Sequence, residues 1–144
     1  SGAGTQIERF HTLLDSSFLE SVGLSYENGR HRIVLDAALR HAAGPMVRSA
    51  VVGLLQDESR ISAIQRWVVL AGGRRVLDSI GESLGFGETE MAHSREILRT
   101  HGNMSSPTVL FVLERTQREA SEGDTGVMIA LGPGLAAETA LLRF

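Results

Sequence analysis

The sequence has no cysteine and no lysine, and its 144 residues include one tryptophan, one tyrosine and three prolines. Without cysteine these residues can form no disulfide, no thiolate metal site and no cysteine nucleophile. The five histidines, His11, His31, His41, His93 and His101, show no ligand spacing of the H-E-x-x-H kind, so no metal is expected. A Gly-x-Ser-x-Gly nucleophile elbow is also missing. All 14 basic residues are arginines, dispersed among 17 acidic residues for a net charge of −3. No electrostatic footprint for nucleic acid results. No apolar run reaches the roughly 18 residues of a spanning helix, so no membrane is expected as a partner and the expected location is cytoplasmic.

What is present suffices for a folded domain. An apolar fraction of 42% over this length supports a core that buries roughly two thirds of the unfolded surface. The small, uncharged Ser1-Gly2-Ala3-Gly4-Thr5 opens a stretch expected to be a flexible leader over residues 1–12, with one domain from 13 to 144. Val22, Leu24 and Tyr26 alternate toward Asn28-Gly29, predicting a hairpin between Ser21 and Asp36. From Ala37 to about Asp57 apolar residues recur at three and four, the period of a helix, and Gly44-Pro45 is expected to mark the start of its longer part.

Gln65 to Leu70 reads as a buried strand, Arg74 to Leu84 as an amphipathic helix stopped by Gly85, and Glu88 to Thr100 as a more polar helix ended by Gly102. Ser106 and Pro107 are good opening residues for a further helix. Its body, "TVLFVL" from Thr108 to Leu113, is apolar on every side and asks for protein on more than one face. The same six residues also suit a strand. Thr125–Leu131 and Glu138–Phe144 read as strands around Gly132-Pro133-Gly134, where Pro and Gly fall where a type II turn wants them. The class is α/β, a mixed sheet with packed helices.

Three segments, "WVVLAGGRRVLDSIGESLG", "THGNMSSPTVLFVLER" and "GVMIALGPGLAAETALL", in this order and spacing, resemble the C-terminal part of type III polyketide synthases. These are the chalcone-synthase-like branch of the thiolase-fold condensing enzymes; the resemblance extends more loosely to the bacterial dihydroxyphenylacetyl-CoA synthases. It implies the C-terminal half of an αβαβα thiolase-like fold, about the last two fifths of a complete member. Such enzymes condense an acyl-CoA starter with malonyl-CoA by decarboxylative Claisen chemistry, using Cys, His and Asn. Loss of carbon dioxide leaves an enolate whose oxyanion must be held by preorganised donors in a dry pocket.

Asn103 falls on the family's Asn. The family's His ends the strand before the Gly-Gly turn, in a Trp-x-Val-His-Pro-Gly-Gly pattern; here Leu70 stands in its place and Ala71 in that of the Pro. The spacing of Leu70 to Asn103 fits the family without a gap, so the His is replaced, not shifted. Removal of one oxyanion donor typically costs about 10² to 10³ in rate, and the Cys belongs to the family's N-terminal half. The resemblance therefore implies that this chain is inactive alone and depends on an N-terminal thiolase-like half or homologous subunit, in an oligomer such as a dimer. The other reading is a non-catalytic scaffold, a pseudoenzyme binding a protein or an acyl-CoA-like ligand.

No separate cofactor is implied beyond CoA thioesters, acyl-CoA or malonyl-CoA, as ligands. The family's counterpart of Gly72-Gly73 lies along the pantetheine arm, which would place Gly72, Gly73 and Arg75 at the ligand; by themselves the glycines also suit a plain tight turn and Arg74 and Arg75 a solvated helix start. Ser105 corresponds to a cavity residue and equally suits a helix cap. Gly132, Pro133 and Gly134 correspond to the loop that scaffolds the cavity wall, although turn geometry alone accounts for them.

Overall fold

Among residues 4–19, 22–35, 39–70 and 72–144, which the computed structural model describes, the elements run β1 (Gln6–Leu14), β2 (Val22–Glu27), β3 (Arg30–Leu35), α1 (Leu39–Leu55), β4 (Arg66–Val69), α2 (Arg74–Leu84), α3 (Ala92–His101), α4 (Pro107–Glu119), β5 (Thr125–Gly132) and β6 (Ala136–Arg143). Short 3-10 turns at Ser16–Phe18 and Glu58–Ala63 complete the order. The expected α/β class, a mixed sheet with packed helices, is what forms.

Four strands make the main sheet in the order β1-β6-β5-β4; β4 and β5 are parallel and the other pairs antiparallel. Alternation along β6 divides the molecule into two sides. Leu141 faces α1 and α2, joining Val47, Val51, Leu54, Leu77, Ile80, Trp67, Val69, Val127 and Ile129 in the larger part of the core, and Ala137 on the same face packs with Met46 and Ala50 of α1. Ala140 and Leu142 face the other way, packing with Val68, Ile97 of α3 and Val112 of α4. The strand residues Trp67, Val68 and Val69 are all buried, as expected of a parallel strand covered on both faces.

Several expectations are corrected. Residues 6–12, expected within a flexible leader, lie in β1, which pairs with β6 along its length. A bulge between Ile7 and Arg9 breaks the period-2 pattern, so the sequence gives no strand signal there. Residues 1–3 lie outside the described set, as do the hairpin ends Ser21 and Asp36 and the first residues of the expected helix, 37 and 38. Within the described part of the hairpin, Glu27 pairs with Arg30 across Asn28 (φ 51°) and Gly29 (φ 77°), as a two-residue turn with both residues left-handed requires.

Pro45 does not open a helix: α1 is already formed from Leu39 and runs through it. An exposed proline nearly two turns into a helix forgoes a single bond to the preceding turn, and here the flanking packing retains the helix. Gly44 beside it is needed for close approach, since a Cβ would run into the Ser79 carbonyl and hydroxyl of α2; its N–H donates to Ser79 Oγ at 3.2 Å. The helix expected from Glu88 begins at Ala92. The preceding segment is a turn, following a left-handed Gly85 (φ 72°) that ends α2 as expected. Ser106 makes no capping bond; Pro107 opens α4 as expected.

Candidate functional site

The carboxyl ends of the parallel strands β4 and β5 meet the loop between α3 and α4 at one corner of the sheet. The ladder continues one residue past β4, with the Leu70 N–H donating to the Ile129 carbonyl at 2.9 Å. Strand alternation therefore sends the Leu70 side chain to the same face as Val68, the face covered by α3 and α4. The Gly72 N–H donates to the Leu70 carbonyl at 2.9 Å, turning the chain sharply toward α2.

Asn103 closes this corner from the other side. It follows Gly102, whose φ of 73° ends α3 in a conformation open to glycine. Its Nδ2 donates to the Gly72 carbonyl at 2.9 Å, and its Oδ1 accepts from the Ser105 N–H at 2.8 Å. The two partners fix the orientation of the amide, because a carbonyl needs a donor and an N–H needs an acceptor. Ser105 holds φ at 64°, a left-handed value that a serine adopts at a cost. The second N–H of Nδ2 has no partner among the described residues. Asn103 is exposed, so the corner offers an oriented donor facing solvent.

Two residues that sequence reasoning passed over also belong to the corner. Ser94 of α3 is buried, and its hydroxyl donates to the Val69 carbonyl at 2.8 Å. Thr108 of α4 is buried, and its hydroxyl accepts from the Met104 N–H at 2.8 Å. A signal existed for each: Ser94 sits in the inward stripe of Met91, Ile97 and Leu98, and Thr108 lies one turn before the buried Val112. A hydroxyl on an apolar helix face is there for its hydrogen bond.

Of the expected ligand residues, Leu70, Gly72, Asn103 and Ser105 come together. Gly73 is the first residue before α2, and its carbonyl accepts from Leu77 N–H at 3.0 Å. Arg75 lines an open groove of about 690 Å³ between α1 and α2 with His41, Pro45, Ser79 and Glu82. Gly132-Pro133-Gly134 sits at the same end of the sheet as Leu70. The turn is longer than a simple type II, because Leu135 (φ 52°) follows Gly134 (φ 69°) before Ala136 pairs with Gly132. A Cβ on Gly134 would meet Leu19 and Leu14, so this loop abuts the β1 side of the sheet. Three carboxyls, Asp15, Asp57 and Asp124, are held below the usual aspartate range by hydrogen bonds, and none belongs to the Asn103 corner. Among the described residues no group of three or more potential ligands forms a metal site, and no helix is long and apolar enough to cross a membrane.

Residues 51–144 match the family model for the C-terminal domain of chalcone and stilbene synthases. The chain belongs to this family. It is 30% identical to the 3,5-dihydroxyphenylacetyl-CoA synthase of Amycolatopsis balhimycina over 98% of its own length and 39% of that protein. Its identity to the corresponding synthase of Streptomyces toyocaensis is 34%, over 81% of this chain and 30% of that one. Among solved structures it superposes on 1,3,6,8-tetrahydroxynaphthalene synthase of Streptomyces coelicolor, a bacterial type III polyketide synthase, with a TM-score of 0.86 at 26% identity, covering 100% of this chain and 42% of that chain. The chain thus spans about two fifths of this type III polyketide synthase, and its α/β architecture is the C-terminal part of that thiolase-like fold.

Proposed function

We propose that this chain supplies the C-terminal wall of a polyketide synthase-like condensing site and works only in a composite with a Cys-bearing, thiolase-like N-terminal half. Asn103 is the oxyanion donor of that wall. The observation that carries this is its amide: oriented by Gly72 and Ser105, with one N–H unpartnered among the described residues, yet open to water. An oriented donor acts strongly only in a water-excluded site, so a covering layer is required. The face beside it is suited to one. On the α4 side of the sheet, Ile7, Phe10 and Leu14 of β1 are exposed, and Leu110 and Phe111 of α4 are exposed as well. The register puts Phe10 opposite Ala140 and Ile7 opposite Leu142, on this same face. Scattered apolar residues need no explanation, but an apolar sheet edge and helix flank on one side of a domain mark an interface.

The expected ligands are CoA thioesters, with malonyl-CoA the source of the enolate. Leu70 in the position of the family's His removes one donor, so condensation by the composite is expected to be slow. Leu70 also favours a second reading, a retired scaffold that binds a partner or an acyl-CoA-like ligand without turning it over.

Co-expression with the N-terminal half of a related synthase tests the first reading: a stable stoichiometric complex is expected on size-exclusion chromatography. A monodisperse monomer that ignores that half would sink it. Calorimetric titration of the complex and of the chain with malonyl-CoA and an acyl-CoA separates the readings, since heat without carbon dioxide release supports the scaffold. No heat with either leaves protein binding alone.

A further inference from the structure

Two buried hydroxyls fasten the two walls that meet at Asn103. Ser94, 1% exposed, reaches from α3 to the carbonyl of Val69, the last residue of β4. Thr108, 0% exposed, takes the Met104 N–H on its hydroxyl, while its own N–H donates to the Ser105 carbonyl at 2.9 Å. Met104 and Ser105 are the two residues after Asn103, and Ser105 supplies the N–H that holds the Asn103 amide oxygen. An alanine at 94 or a valine at 108 would bury no hydroxyl, whereas a buried hydroxyl is tolerated only through its bonds.

We infer that Ser94 and Thr108 are positioning residues: Thr108 sets the backbone that aims the Asn103 amide, and Ser94 fixes the strand end that leads to its other partner, the Gly72 carbonyl. The inference rests on the reading of Asn103 as the donor of the site. Neither hydroxyl need touch a ligand. Each acts by limiting how far the amide can swing, and preorganisation of that kind decides what a hydrogen-bond donor contributes to a developing oxyanion.

Nitrogen-15 NMR of the chain tests this without requiring turnover. The Asn103 side-chain amide pair is assigned by its loss in Asn103→Asp. Its shifts are expected to differ from those of a free amide, and the Met104 N–H is expected to exchange about fivefold more slowly than an unbonded one, the factor one ordinary hydrogen bond supplies. Thr108→Val keeps the volume and removes the acceptor; it should move the Asn103 pair toward free-amide shifts and abolish the Met104 protection, and Thr108→Ser should restore both. Ser94→Ala should move the Asn103 pair, with Ser94→Thr restoring it. Val127→Ala, a core change on the other side of the sheet, should lower stability and leave the Asn103 pair in place.

The inference is overturned when Thr108→Val lowers stability with the Asn103 pair unmoved, when Val127→Ala moves that pair as much, or when Thr108→Ser fails to restore it. Should Thr108→Val not fold, an unprotected Met104 N–H in the unsubstituted chain overturns it equally. Titration of a complex with malonyl-CoA reports on the site reading separately: absent binding with an intact NMR signature removes the ligand and leaves the positioning contacts standing.

Discussion

Leu70 and Asn103 carry the functional argument at the scale of single residues. Restoring the donor by Leu70→His, in a complex that supplies a cysteine, is expected to raise malonyl-CoA decarboxylation by about 10²-fold, the usual worth of one oxyanion donor. Carbon dioxide release is the measurement, and an unchanged rate would mean that the assigned position is wrong. A second residue prediction concerns acid. The Ser121 N–H, at 3.0 Å, and then the Arg66 guanidinium, at 2.7 Å, hold the Asp124 carboxyl below the usual aspartate range. A depressed value means that the ionised form is the stabilising one, so its contribution is present above about pH 4 and is lost as pH falls through the lower folded value. The melting temperature should therefore decline between about pH 4 and pH 2 less steeply in Asp124→Asn than in the unsubstituted chain. Equal slopes, followed by circular dichroism, would remove Asp124 from the account. The role proposed for Asn103 comes from its motif. Its hydrogen bond to the Gly72 carbonyl was not legible, because Gly72 lies 31 positions away in sequence.

At the scale of elements, the contact between α1 and α2 depends on Gly44. Gly44→Ala places a methyl against the Ser79 backbone carbonyl, an atom that cannot rotate aside, and overpacking of this kind typically costs about 1 to 3 kcal/mol. Denaturant titration should register that loss; an unchanged midpoint would show that the helices separate freely. On the opposite side, α4 is expected to fold without its partner. Leu110→Glu and Phe111→Glu, at positions 60% and 44% exposed, should leave the circular dichroism spectrum of the chain alone unchanged while abolishing capture of an N-terminal half. Retained capture would place the interface elsewhere. Helix α2 was legible because its apolar period and its terminal Gly85 agree, whereas for α4 the opening Pro107 was the helix signal, its apolar body suiting a strand as well. Strand β1 was not, since its bulge scrambles the alternation and its pairing partner is at the far end of the chain.

For the whole molecule, the arrangement of layers leaves part of one side of the sheet uncovered. Helices α1 and α2 cover one side of the sheet; α3 and α4 cover the other over β4 and β5, leaving apolar side chains of β1 exposed beside them. The proposed covering layer would close over this surface and the Asn103 amide, and partner capture and ligand heat are its two readouts. By itself the sequence determined the α/β class, most of the element types and the kinship, because apolar period, turn residues and motif spacing are local properties. It also shows that these residues include no cysteine and that position 70, where the resembling family has a His, is a leucine. Only the tertiary structure decided that residues 6–12 are a strand, that Arg75 lines a groove between α1 and α2, and that Ser94 and Thr108 bond within the corner. These depend on contacts between segments distant in the chain, where burial and pairing select a partner that no short stretch of sequence specifies.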